Sequence, residues 1–107
     1  MTYEEIVAAA REGFGKKDVS GFDGHLAIEF DIVGEGSGAF YVEITGGKIY
    51  VEPYEYYDRD VKLIASAKTF LGIANGTVDT VAAYTLGKLK LEGSVEKALQ
   101  FHNLVKD

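Results

Sequence analysis

The side chains most able to do chemistry in this 107-residue chain are two histidines and a set of carboxylates. His25 and His102 lie far apart, so neither takes part in the short spacing typical of metal ligands. The carboxylates at alternate positions in strand-like segments are Glu29, Asp31, Glu43 and Glu52. Alternation alone places such carboxylates on one solvated sheet face, and we favour that interpretation over paired acid–base catalysis. The chain contains no cysteine, which excludes disulfides, thiolate metal sites and a cysteine nucleophile.

Two short motifs imitate a nucleotide site and a catalytic serine. Gly34, Gly36 and Ala39 have the spacing of a dinucleotide-binding loop, but that loop must lead into a helix. Residues 39–45 alternate as a strand, so we predict a hairpin loop instead. Ser37 lacks the flanking glycines of a nucleophile elbow. We therefore predict that the chain is not an enzyme and holds neither a cofactor nor a metal ion.

Length and charge limit the number of domains and the classes of function that remain. The length fits a single domain over residues 1–107. Residues 21–60 carry two basic and nine acidic groups, whereas residues 61–107 carry six basic and four acidic groups. The acidic middle argues against nucleic-acid binding, which needs clustered Lys and Arg. No apolar run reaches the ~18 residues that a bilayer span needs, and the acidic N-terminus does not resemble a signal peptide. A cytoplasmic location is the expectation.

The first half of the chain predicts a helix followed by three strands. Thr2 and Glu5 have the spacing of a capping box, which predicts a helix over about 2–13. Alternating apolar positions predict strands within residues 25–33, 40–45 and 49–52. Gly46-Gly47 is a hairpin signal between the last two. One face of this meander is apolar and the other polar, as expected when only one face is covered.

The second half predicts two more strands and three short helices. Residues 53–60 break the alternation and indicate a loop or edge, after which 61–65 form a strand. Ser66 is the expected N-cap of a helix over 67–74, and Thr77 that of a helix over about 78–86. A strand over 88–92 and a helix from Ser94 to about Val105 complete the chain. The predicted fold is α+β, a five-stranded, mostly antiparallel sheet with helices covering one face. The two-helix connection between the last strands could make the sheet mixed.

The three late helices carry more apolar surface than one sheet face needs. The last helix has apolar residues well beyond the ~100° stripe of an ordinary surface helix. Two interpretations stay open: mutual helix packing with a few exposed apolar residues, or a cavity that holds an apolar ligand. Burial of a long acyl chain contributes about 0.8 kcal/mol per CH₂ before association costs, and it needs no catalytic group.

Three segments, 63–76, 84–93 and 98–104, together resemble the sterol carrier protein 2 (SCP-2) family of intracellular lipid-binding domains. The resemblance covers about residues 21–105, and the order and spacing of the segments carry it. It implies an SCP-2-like sheet and helices that enclose a hydrophobic tunnel for a fatty acid, acyl-CoA, sterol-like or other apolar lipid. The sequence departs from some family members in showing neither a peroxisomal address nor a fused enzyme domain, and we therefore expect a stand-alone prokaryotic type. The positions that match the tunnel lining are Phe70, Leu71, Ala74, Val78, Val81, Tyr84, Leu89, Leu99, Phe101 and Leu104.

A tyrosine-rich region supports an alternative function. Tyr41 and Tyr50 share the outward face of neighbouring predicted strands, and Tyr54, Tyr56 and Tyr57 follow closely. Exposed aromatic residues can form a partner patch, although cross-strand pairing also explains them. The alternative is a non-enzymatic interaction or accessory module that dimerises through this face. The partners we consider are therefore an apolar lipid, a transient membrane contact and a second copy of the chain.

Overall fold

The computed structural model describes residues 1–106, which form one mixed sheet and four helices. In chain order the elements are α1 (Tyr3–Gly15), β1 (His25–Val33), β2 (Gly38–Thr45), β3 (Lys48–Glu52), β4 (Val61–Ser66), α2 (Ala67–Asn75), α3 (Thr80–Thr85), β5 (Leu89–Gly93) and α4 (Val95–Val105).

Local capping interactions set where three of the helices begin. The Thr2 hydroxyl accepts a hydrogen bond from the Glu5 amide, and the Glu5 carboxylate accepts one from the Thr2 amide. Ser66 and Ser94 cap α2 and α4 with their hydroxyls. These predicted caps are confirmed, as is Gly76 as the end of α2, with a left-handed φ of 80°.

The predicted cap of α3 is wrong. The helix begins after Asp79, whose carboxylate accepts a hydrogen bond from the Ala82 amide at 2.9 Å. Thr77 instead completes the end of α2, because its amide and its hydroxyl both donate to the Gly72 carbonyl. Since α3 starts at Thr80, its N-cap position is Asp79, and Thr77 lies two residues too early to accept from the first amides of the helix.

The strand order is β3-β2-β1-β4-β5. All neighbouring strands are antiparallel except β1 and β4, which are parallel. The sheet is therefore mixed, but not through the connection we expected, since β4 and β5 are antiparallel. The parallel pair arises because residues 53–60 cross the sheet between β3 and β4. The predicted α+β class with a mostly antiparallel sheet is confirmed.

One face of the sheet, here called the helix face, is packed against α1, α2 and α4. Phe30 of β1 lies at its centre. Its ring centroid lies 4.8–5.9 Å from four other phenylalanine rings, at edge-to-face or stacked angles. These rings, all at most 1% exposed, belong to Phe14, Phe40, Phe70 and Phe101.

The opposite face, here called the outer face, is partly covered as well. Ala27 is fully buried on it and Glu29 is only 3% exposed. Residues 53–60 lie over these positions. The Asp60 carboxylate accepts a hydrogen bond from the Ala27 amide at 2.9 Å, and the Asp60 amide donates to the Ala27 carbonyl at 2.8 Å. The prediction of a solvated outer face is therefore wrong at Glu29, because the crossover shields it.

Candidate functional site

An apolar cleft of about 750 Å³ opens beside α3, where β1 and β4 end. Val33 and Ile64 form part of its sheet side. Val78, Ala83 and Leu86 line it from α3 and the segments that flank this helix. Its volume falls within the roughly 300–1,000 Å³ typical of small-molecule sites.

A second space of about 540 Å³ continues this cleft past the start of α2. The two share Val33, Ser66, Lys68 and Thr77 in their linings, so they adjoin, and together they are here called the groove. Leu71 lines the second part.

The rim of the cleft is basic. Lys68 at the start of α2, Lys88 before β5 and Lys90 within β5 all line it and are exposed. Among residues 1–106, none of the three makes an ion pair. The acidic residue in the lining, Asp79, caps α3 and lies 3.9 Å from Nε2 of His102.

Helix α3 turns only its small side chains inward. Thr80 and Ala83 are buried, whereas Val81 and Tyr84 are 44% and 55% exposed. Leu86, which ends the helix at the mouth of the cleft, is 70% exposed. Apolar surface next to an apolar cleft is the surplus that the sequence indicated, and here it faces outward rather than into the core.

The structure divides the ten predicted lining residues into three groups. Four are buried, three are partly buried against the core, and three are exposed. The buried residues are Phe70, Ala74, Leu89 and Phe101. The partly buried residues are Leu71, Val78 and Leu104. The exposed residues are Val81, Tyr84 and Leu99. Val78 lines the cleft, Leu71 its continuation, and Tyr84 and Leu89 a neighbouring space along the outer edge of β5. Phe70 and Phe101 pack in the aromatic core instead.

Sequence reasoning missed several residues that line the cleft. Val33 and Ile64 are aliphatic residues on the more polar outer face, and this departure from the pattern was the available signal. For the lysines the sequence gave only a weak signal, the excess of basic over acidic groups in residues 61–107, because Lys68 lies 22 positions before Lys90.

The outer face holds a separate group of ionisable side chains. Glu29 accepts a hydrogen bond from the Tyr56 amide at 3.1 Å, and Nη1 of Arg59 lies 3.6 Å from the same carboxylate oxygen. Nζ of Lys62 lies 3.1 Å from Oδ2 of Asp31. Oδ1 of Asp31 is buried and has no hydrogen-bond partner among the described residues.

Burial and contacts within the group shift the pKa values of Glu29 and Lys62. Burial raises the pKa of Glu29, and the neighbouring Asp31 raises it further, while the Tyr56 amide and the Arg59 charge oppose the shift. The hydrogen bond to Asp31 raises the pKa of Lys62.

Within residues 1–106, no three His, Asp or Glu side chains come together as metal ligands would. The described helices also include none that is long and apolar enough to cross a membrane.

A model of the SCP-2 sterol transfer family matches residues 8–106, which is nearly the whole chain. The chain belongs to this family. A search of the curated proteins gives no significant match.

Solved structures with the same fold include SCP-2 proteins and part of an enzyme. SCP-2-like 3 from Aedes aegypti has a TM-score of 0.66 at 14% identity over 94% of this chain and 92% of its own. Palmitated SCP2L2 from Aedes aegypti has a TM-score of 0.62 at 19% identity over 100% and 96%. A double mutant of the sec-alkyl sulfatase PisA1 has a TM-score of 0.71 at 18% identity. That match covers 86% of this chain but only 15% of the sulfatase. At these identities the likeness establishes the SCP-2 fold.

Proposed function

We propose that this SCP-2 chain is a non-enzymatic carrier that binds one apolar lipid in the groove beside α3. The observation that carries the proposal is the juxtaposition of an apolar cleft of about 750 Å³ with exposed apolar residues on α3. The family match supports the same class of ligand, and the palmitated relative is a member with a fatty acyl group.

The physical argument rests on what the groove offers. Its inner surface comes mainly from Val33, Ile64, Val78, Ala83 and Leu86, which give dispersion contacts and no reactive group. Each CH₂ group that leaves water there contributes about 0.8 kcal/mol. We keep Leu99 and Leu104 on α4 in the proposed site, because the resemblance to the family supports a ligand between α2, α3, α4 and the sheet.

The direct test is titration of delipidated protein with a fluorescent fatty acid, combined with native mass spectrometry of the protein as purified. We expect saturable binding of one lipid per chain. A folded protein that takes up no lipid and carries none after purification would rule out the carrier function.

Two glutamate substitutions locate the ligand. Leu86→Glu places a charge at the mouth of the cleft, and Leu99→Glu places one on the exposed side of α4. Both side chains are exposed, so neither substitution should unfold the protein. We expect Leu86→Glu to weaken lipid binding about tenfold or more, because a charge must lose water when an apolar chain lies against it.

The comparison of the two variants decides between regions of the groove. Weakening by both supports a ligand that spans from α3 to α4. Weakening by Leu99→Glu alone would place the ligand on the α4 side and remove the cleft from the site. Tyr57→Ala is the matched control, since this side chain is 94% exposed in the crossover.

Dimerisation through the tyrosine-rich face is the second candidate. Tyr41 and Tyr56 pack edge to face at 4.9 Å, and the Tyr56 hydroxyl donates to Glu43 at 3.0 Å, so this pair holds the crossover on the sheet. Tyr50, Tyr54 and Tyr57 are the exposed members. Light scattering of the wild type and of Tyr50→Lys tests the idea, and a monomeric wild type contradicts it.

A further inference from the structure

The basic rim of the cleft bears on which lipid the site prefers. Lys68 at the start of α2 and the pair Lys88 and Lys90 at β5 line one apolar space. The net charge of the chain is −6, so this concentration of positive charge does not follow from composition. We propose that the three lysines bind the anionic head group of the lipid and select a charged single-chain amphiphile over a neutral one. This inference rests on the proposed lipid-binding function.

The lysines are available for such a ligand. Their side chains are exposed, and none of them has an ion-pair partner within residues 1–106. The basic groups of the outer face differ, because Arg59 and Lys62 already face Glu29 and Asp31. A carboxylate or phosphate at the rim would therefore meet unpaired positive charge.

The acidic residues near the rim do not cancel this charge. Asp79 lines the cleft, but its carboxylate is engaged by the α3 backbone and lies near His102. Glu92 pairs across from Lys62 in the β4–β5 register, two positions beyond Lys90 on the same face. The lining of the cleft thus holds three lysines against Asp79, which already caps α3. Glu35 lines the continuation past α2, where it lies 3.4 Å from the Met1 ammonium group.

The arrangement separates the roles of the two parts of the ligand. Val33, Ile64 and Leu86 contact the alkyl chain, and this contribution is the same for an acid and for the alcohol of equal length. The lysines contribute only when the head group is charged, through charge-assisted hydrogen bonds and Coulomb attraction. A neutral sterol-like hydroxyl receives no such contribution.

The test compares ligands that differ only in the head group. Dodecanoic acid, dodecyl phosphate and dodecanol each compete with the neutral dye Nile red for delipidated wild-type protein. We expect the acid and the phosphate to displace the dye at concentrations about fivefold to tenfold lower than the alcohol, a preference that added salt reduces. Lys88→Gln/Lys90→Gln should abolish most of the preference and leave the affinity for dodecanol unchanged.

A matched control removes the effect of net charge. Lys48→Gln neutralises an exposed lysine at the start of β3, the opposite edge of the sheet, and should keep the full preference. The single variant Lys68→Gln tests the third lysine and applies equally if the double variant does not fold.

The displacement results distinguish failure of the head-group inference from failure of the proposed carrier function. Equal displacement by acid and alcohol would overturn the head-group inference and leave the carrier function intact, whereas no displacement by any of the three compounds would count against the carrier function itself. A preference that persists in both lysine variants would also overturn the inference.

Discussion

The two faces of the sheet are both covered, but by opposite means. On the helix face, Phe30 is surrounded by four other phenylalanine rings and three helices. On the outer face, the preceding residue, Glu29, is buried by a crossover without helix or strand and is held by one amide and one arginine. Two adjacent residues of β1 are therefore both buried, Phe30 by helices and Glu29 by the crossover.

The difference shows which interactions carry stability and which fix position. The helix face depends on packing, which is not directional and tolerates few voids. The outer face depends on hydrogen bonds and charges, which add modest net stability but cost much when one partner is lost. We therefore expect substitutions on the two faces to change the free energy of unfolding by different amounts, in different directions and with different pH dependence.

The largest effect should come from Phe30→Ala. Removal of the central ring leaves a cavity among four aromatic neighbours, and we expect a loss of about 3–5 kcal/mol in the free energy of unfolding. Urea denaturation measures it, with the exposed Tyr57→Ala as control. A loss near 1 kcal/mol would mean that the helix face is not the main source of stability.

Asp60→Ala should cause a smaller loss in the free energy of unfolding. The carboxylate accepts from the Ala27 amide, which is fully buried and would be left unpaired. We expect a cost of about 1–3 kcal/mol, and Asp60→Asn, which keeps an acceptor oxygen, should recover part of it. If both variants are as stable as the wild type, Asp60 does not hold the crossover to β1.

The smallest effect, with the opposite sign, should come from Glu29→Gln. The usual glutamate pKa is 4.5 and burial raises the pKa of Glu29 in the folded chain, so the folded chain has a higher affinity for this proton than the unfolded chain. The stability from this group is fully present below that pH and is lost as pH rises through the folded pKa. Glu29→Gln should therefore raise stability at pH 7 by up to about 1 kcal/mol.

The measurement is a pH series of urea denaturations for both proteins. The decline in stability that begins above about pH 4.5 in the wild type should be weaker in Glu29→Gln. Parallel pH curves would show that Glu29 titrates alike in the folded and unfolded chains. A variant less stable than the wild type at pH 7 would show that the ion pair with Arg59 outweighs burial.

The sequence predicted much of the fold and little of the site. Thr2, Ser66 and Ser94 act within one helical turn, so their capping roles are readable from spacing alone. The cleft was not readable in this way, because Val33, Ile64 and Leu86 meet only through the parallel pairing of β1 with β4 and the position of α3.

By itself the sequence determined the order of helices and strands, the turn at Gly46-Gly47 and the apolar alternation that defines the helix face, because these depend on contacts between near neighbours. The tertiary structure alone decided that residues 53–60 cross the outer face, that Glu29 is buried and that Lys68 shares one rim with Lys88 and Lys90. These features depend on which strands pair and which segments cross, and no spacing along the chain encodes that geometry.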